Sequence, residues 1–154
     1  MPTRRERIVR KTVEALDGAG KPDGATVHRY RVRPIERDDL PAYVVYPSNP
    51  PMGGRSEAVQ RMDHDPGVER SLNLRVEIRV ADNEPDKALD DHYAWVVRAM
   101  RSDPTWDGLA LDTQESGSSF DAADLGRTVG ACAVDWEITY ITDEDDPEEG
   151  GLYG

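Results

Sequence analysis

The sequence predicts an α+β domain: a mostly antiparallel, mixed sheet of about five strands, two helices packed on one of its faces, and a long loop between strands two and three. Three observations predict it. Leu72, Leu74, Val76, Ile78 and Val80 take every second position, with Asn73, Arg75, Glu77 and Arg79 between them, the period of a strand buried on one face. Cys132, Val134, Trp136, Ile138 and Tyr140 repeat the alternation near the end of the chain. Between these runs, Leu89, Tyr93, Val96 and Met100 form one stripe at helical spacing and Ala88, His92, Trp95 and Ala99 the adjacent one. Strands with one polar face need a single covering layer, so both helices are placed on the same side of the sheet.

Thr3 and Glu6 form a T-x-x-E capping box opening a helix from about Arg4 to Leu16, with Val9, Val13 and Leu16 on its apolar side. Asp17-Gly18-Ala19-Gly20 ends it, with glycine expected in the left-handed position after the last turn. From Thr26, His28, Tyr30 and Val32 alternate with Arg29, Arg31 and Arg33, the pattern of an edge strand whose arginines discourage stray pairing. Ala42 to Tyr46 is a short β-branched and aromatic run suited to a central strand. Residues 47–67 hold four prolines and three glycines without apolar periodicity, and a loop of that length is usually functional or disordered.

After Val80, Asn83 or Glu84 offers a cap and Pro85 a first helical residue, and Ser102-Asp103-Pro104 stops the helix. Trp106, Leu109 and Leu111 read as packing, Ala110 to about Phe120 as a strand, and the Cys132–Tyr140 run as the last one. The expected organisation is one domain over residues 1–142, followed by a disordered acidic tail, 143–154, with six acids in twelve residues.

A chain of 154 residues is long enough to bury a core without disulfides or metal, and a single cysteine permits no intrachain bridge. No window is apolar enough to span a membrane and the first residues have no apolar signal region, so a soluble protein made in the cytosol is expected. The net charge of −12 argues against nonspecific nucleic-acid binding. The charge is unevenly spread: residues 1–37 have a balance of +5 and residues 38–154 one of −17. Such asymmetry allows the basic end of one copy to meet an acidic face of another, although a solvated charge run is the commoner explanation.

Chemistry-bearing motifs are sparse. Asp63-His64-Asp65 carries groups able to ligate a metal or share a proton, but in a Pro/Gly loop such neighbours diverge into solvent. In Asp90-Asp91-His92 the histidine falls on the inner stripe and the acids face water, and Cys132 sits in an apolar row as a small core residue. There is no nucleophile elbow around Ser118-Ser119, no G-x-G-x-x-G, and no Walker A at Pro51-Met52-Gly53-Gly54-Arg55. Trp95, Trp106 and Trp136 all sit in apolar rows. No enzyme, cofactor or metal is expected on this basis.

Taken in order, D-D-L-P-A-Y-V-V-Y at 38–46, the long loop, L-R-V-E-I-R-V at 74–80, A-L-D-D-H-Y-A-W at 88–95, Met100, the Asp103-Pro104 stop and D-W-E-I-T-Y at 135–140 resemble the tail terminator proteins of long-tailed bacteriophages, the lambda minor tail protein U family. The likeness covers about residues 3–142, and it rests on the ordered combination because each motif alone is generic. The resemblance implies a structural, non-enzymatic protein of the virion. It would form a homohexameric ring at the head-proximal end of the tail tube, ending tube polymerisation and presenting the surface that joins the head. Its implied partners are other copies of itself, the tail tube protein and a head completion or connector protein, with genomic DNA passing through the lumen without specific binding. The extended acidic tail and a longer loop depart from the family pattern.

Exposure and charge select the expected contact residues between subunits or with the tail: Arg55, Arg61, Asp63, His64 and Asp65 in the loop, and Arg75, Glu77 and Arg79 on the polar strand face. Alternative readings are another head-to-tail joining protein of the neck, a small metal-dependent hydrolase using Asp63, His64 and Asp65, or a monomeric module whose loop captures a peptide.

Overall fold

The structure, a computed structural model, describes residues 2–29, 40–47, 55–60, 66–121, 129–143 and 145–148. Helix α1 spans Arg4–Leu16 and α2 spans Pro85–Arg101. The strands are β1 (Thr26–Arg29), β2 (Ala42–Pro47), β3 (Arg55–Gln60), β4 (Pro66–Ala81), β5 (Asp112–Asp121) and β6 (Val129–Asp143). Their order is β1-β2-β4-β6-β5, with β3 pairing along the Pro66 end of β4. Among the described residues, only β1 and β2 pair in parallel. The fold is therefore the expected α+β class, a mixed sheet under one layer of two helices.

Cross-strand register sets the two faces of the sheet. Leu72, Leu74, Val76 and Ile78 of β4 lie opposite Ile138, Trp136, Val134 and Cys132 of β6, and all are buried. Tyr43 and Val45 of β2 join the same face opposite Ile78 and Val76. Ile8, Val9 and Leu16 of α1 and Leu89, Val96, Ala99 and Met100 of α2 complete a single apolar cluster with them. In α2 the two expected stripes merge into one buried face in which His92 is included and Tyr93 stands at the border.

The stretch between β2 and β4, read from sequence as loop throughout, contains β3, which pairs antiparallel with the start of β4. β4 is consequently 16 residues long, about 50 Å at the usual rise, against about 25 Å for α2.

Two helix-end expectations resolve differently. Thr3 Oγ1 accepts the Glu6 N–H at 3.1 Å, as a capping box requires. The Glu6 carboxylate, however, does not turn back to Thr3; it takes Arg29 of β1 at 2.6 and 3.1 Å and Arg10 at 3.3 Å, and the Arg29 bond above all holds its pKa below the usual carboxylate value. This pairing ties α1 to the sheet edge, a tertiary use of a residue that local pattern assigns to capping. At the other end Gly18 is not in the left-handed region, and Gly24 and Gly108 are the described glycines that are. Gly18 and Gly20 are needed instead for closeness: a Cβ on Gly20 would lie 3.1 Å from the Trp95 ring, and Trp95 donates to Leu16 O at 3.1 Å.

A third close approach lies under the start of α2. A Cβ on Gly130 would sit 3.0 Å from Leu89 Cδ1 and 3.1 Å from Pro85 Cβ. Gly130 occupies the inward row of β6, opposite Val80, so any side chain there pushes the helix off the sheet. Gly130→Val is expected to destabilise the fold by about 1–3 kcal/mol through overpacking, seen as a lower urea midpoint with an unchanged m value.

After α2 the chain makes a left-handed turn through Trp106, Asp107 and Gly108, with φ of 50°, 60° and 82°. The Asp103 carboxylate holds it by accepting from the Asp107 amide (2.8 Å) and from the amide and hydroxyl of Thr105 (3.2 and 2.8 Å), and these bonds lower its pKa. Buried Trp106 donates to Thr113 Oγ1 at 2.7 Å. Beyond β6 the acidic segment continues within the fold: Pro147 O accepts the Arg4 amide at 3.0 Å and Glu148 O accepts Arg7 Nη2 at 2.7 Å, so residues 145–148 close the first turn of α1. The remainder of the acidic tail, 149–154, lies outside the described residues.

Candidate assembly surface

With both helices on one side, the opposite face of the sheet carries the polar half of each alternating strand. Register brings together residues far apart in sequence. Arg75 of β4 lies opposite both Asp135 of β6 and Tyr46 of β2. Its guanidinium grips Asp135 with two bonds, 2.7 and 3.1 Å, the forked geometry in which arginine matches a carboxylate best. That bond pushes the Arg75 pKa further up, so the group is charged at any accessible pH. Tyr46 donates its hydroxyl to Glu77 Oε2 at 2.9 Å, and Arg79 Nε donates to Glu77 Oε1 at 2.5 Å. Burial first, and then the Glu77 carboxylate, raises the Tyr46 pKa.

The result is a ladder of alternating charge, with Arg75, Glu77 and Arg79 along β4 and Asp135 directly across from Arg75. The side chains of Arg75 and Arg79 remain 35% and 41% exposed, so each pair is worth no more than about 1 kcal/mol to the fold. Such a ladder orients the side chains more than it stabilises them. Ala131 and Ala133, on the same face of β6 and opposite Arg79 and Glu77, floor a shallow depression of about 310 Å³ whose rim includes Tyr46, Arg75, Glu77 and Ser119.

Of the residues selected from sequence, Arg75, Glu77 and Arg79 thus share one surface and one network. Arg55 opens β3, whose partner at that position is Arg70 of β4. Arg61, Asp63, His64 and Asp65 lie outside the described residues. Among the described residues no cluster of three or more His, Cys, Asp or Glu is placed to hold a metal ion. Tyr46, Asp135 and the two alanines were not singled out from sequence. Their outward parity is readable, but which rungs of β2 and β6 face β4 depends on a register that the sequence does not display.

His92 and Cys132 are both internal. His92 Nδ1 lies 2.6 Å from the Tyr43 hydroxyl in a buried pair, and burial lowers the His92 pKa. Burial likewise raises the Cys132 thiol to about 11, which leaves it unreactive at neutral pH. No helix among the described residues is long and apolar enough to cross a membrane.

Fold and surface together define an α+β domain with helices on one side of the sheet and, on the other, a polar row along β4 and β6 beside the buried Ala42, Val44 and Ile141. No protein-family model matches the chain, and no match is found among curated proteins.

Proposed function

We propose that this chain is a structural, non-enzymatic subunit of a phage tail terminator, assembling into a ring that caps the head-proximal end of the tail tube, ends its polymerisation and offers the head its attachment surface. The ordered resemblance of residues 3–142 to that family supports the reading. The single structural observation that carries it is the open sheet face. A domain with a helix layer on one side only keeps a broad, rigid second surface for protein contact, and the Asp135–Arg75–Glu77–Arg79 ladder holds its side chains in fixed orientation. A ring of six copies, contacts with the tail tube protein and with a head completion protein, passage of DNA without specific binding, and a place in the virion all follow from the same reading.

The test is tube growth. Purified protein added to polymerising tail tube protein is expected to stop elongation at substoichiometric amounts and to render the capped tubes competent for head joining. The variant carrying Arg75→Ala, Glu77→Ala and Arg79→Ala should lose most of that capping while giving up only about 1–2 kcal/mol of stability, since its pairs are partly exposed to solvent. Tubes that elongate equally with and without the wild-type protein would sink the proposal.

A further inference from the structure

The start of α1 is held from the far end of the sequence. Thr3 Oγ1 takes the Glu6 amide, but the Arg4 amide is capped by Pro147 O at 3.0 Å, and Arg7 Nη2 donates to Glu148 O at 2.7 Å. Both acceptors are main-chain carbonyls. Residues 145–148 are themselves a preset turn: Asp146 Oδ1 accepts the Glu148 amide at 2.9 Å, and Asp143 O, at the end of β6, accepts the Asp146 amide at 3.4 Å. None of Asp145, Asp146, Pro147 and Glu148 is buried, so the segment is not held down by apolar burial. The rest of α1 is seated without it. Ile8 and Leu16 are fully buried, Leu16 O accepts Trp95 Nε1 at 3.1 Å, Arg29 of β1 holds Glu6, and Arg4 Nη1 donates to Leu109 O at 3.1 Å.

We infer that residues 145–148 are a releasable strap, which switches the first turn of α1 between a closed, capped state and an open, uncapped one while the sheet stays intact. Opening breaks the two bonds from Arg4 and Arg7, with no buried side chain behind them, and that places it at the low end of the range of local opening free energies. The sheet is the same in both states, because β6 remains paired with β4 from Gly67–Asp143 to Ala81–Val129. When closed, the strap sets Asp145, Asp146 and Glu148 beside the turn that carries Arg4, Arg5 and Arg7, so each run of charge screens the other. Opening bares both at once, and a contact that either run makes only in its open form shifts the same equilibrium. The strap is a property of the single chain and does not depend on assembly into a ring.

Amide hydrogen exchange of the folded protein tests it. In the full chain the Arg4 amide is expected to exchange through a local opening, faster than the amides of β4 and β6 around Val76 and Val134 and at a rate that low urea leaves unchanged. A chain ending at Asp143 should exchange that amide about tenfold faster or more, with the β4 and β6 amides unaltered, whereas a chain ending at Glu149 should match the full chain. Asp146→Ala removes the acceptor that holds the turn of the strap and touches neither bond to α1. It should speed Arg4 exchange by about two- to tenfold. Equal Arg4 exchange in the full chain and in the chain ending at Asp143 overturns the inference, since the segment then caps nothing. So does an Arg4 amide as slow as the sheet amides in the full chain, or a loss of sheet protection on truncation, because either result makes residues 145–148 part of the global fold and not a strap upon it.

Discussion

Trp136→Ala is expected to lower the unfolding free energy by about 3–5 kcal/mol, the range for deleting a large aromatic side chain from a core. Trp136 is 0% exposed and lies in the middle of β6, paired with Leu74 on one side and Glu115 on the other. Every layer of the domain depends on it, because β6 is the strand between β4 and the outer strand β5. Its indole N–H meets no acceptor among the described residues. Trp136→Phe therefore gives up volume but also relieves a buried donor without a partner, and it should cost less than about 1.5 kcal/mol. Urea unfolding of the two variants separates the effects: equal losses would mean that the ring volume is not what the core requires.

His92→Ala is expected to cost about 2–4 kcal/mol at pH 7, from a cavity under α2 and from the Tyr43 hydroxyl left without its buried partner. Wild-type stability should in addition depend on pH through this residue. In the folded protein burial depresses the His92 pKa, while in the unfolded chain it returns to its ordinary value near 6.5. The unfolded state then binds more protons below that value, so the contribution of His92 is fully present above about pH 6.5 and is lost as pH falls toward the depressed folded pKa. Asp91 and Asp82 oppose the depression but do not cancel it. The stability difference between wild type and His92→Gln, followed from pH 7.5 to 5, should shrink on the acid side. A difference that stays constant would show that His92 does not titrate between the two states.

How much of this was legible beforehand divides along a physical line. Periods of 2.0 and 3.6 residues are properties of a segment alone, so α1, α2 and the inward rows of β4 and β6 could be read from Leu16, Leu89, Leu74 and Trp136 without knowing their neighbours. The positions of glycine could be read, but not their reason: Gly20 and Gly130 make room for Trp95 and Leu89, residues that meet them only after folding. The same limit governs the candidate surface. Arg75, Glu77 and Arg79 were visible as one polar row, whereas Asp135 and Tyr46, which turn that row into a ladder, come from strands whose register is set by packing. Glu6 shows local pattern overruled by tertiary contact, since a carboxylate placed for capping gains more from the fork of Arg29. β3 escaped because R-S-E-A-V-Q has neither sustained alternation nor β-branched enrichment, and its strand state depends on pairing with the start of β4.

The bond between the Arg4 amide and Pro147 O has a consequence for synthesis. Helix α1 is translated before the other described elements, yet its opening turn is closed by residues translated more than a hundred codons later. Until they emerge, the basic helix and the apolar side it shares with α2 have no finished seat, and the nascent protein waits with its earliest element least secured. Stalled or truncated chains lacking residues 145–148 should thus be the ones that chaperones and proteases recognise first.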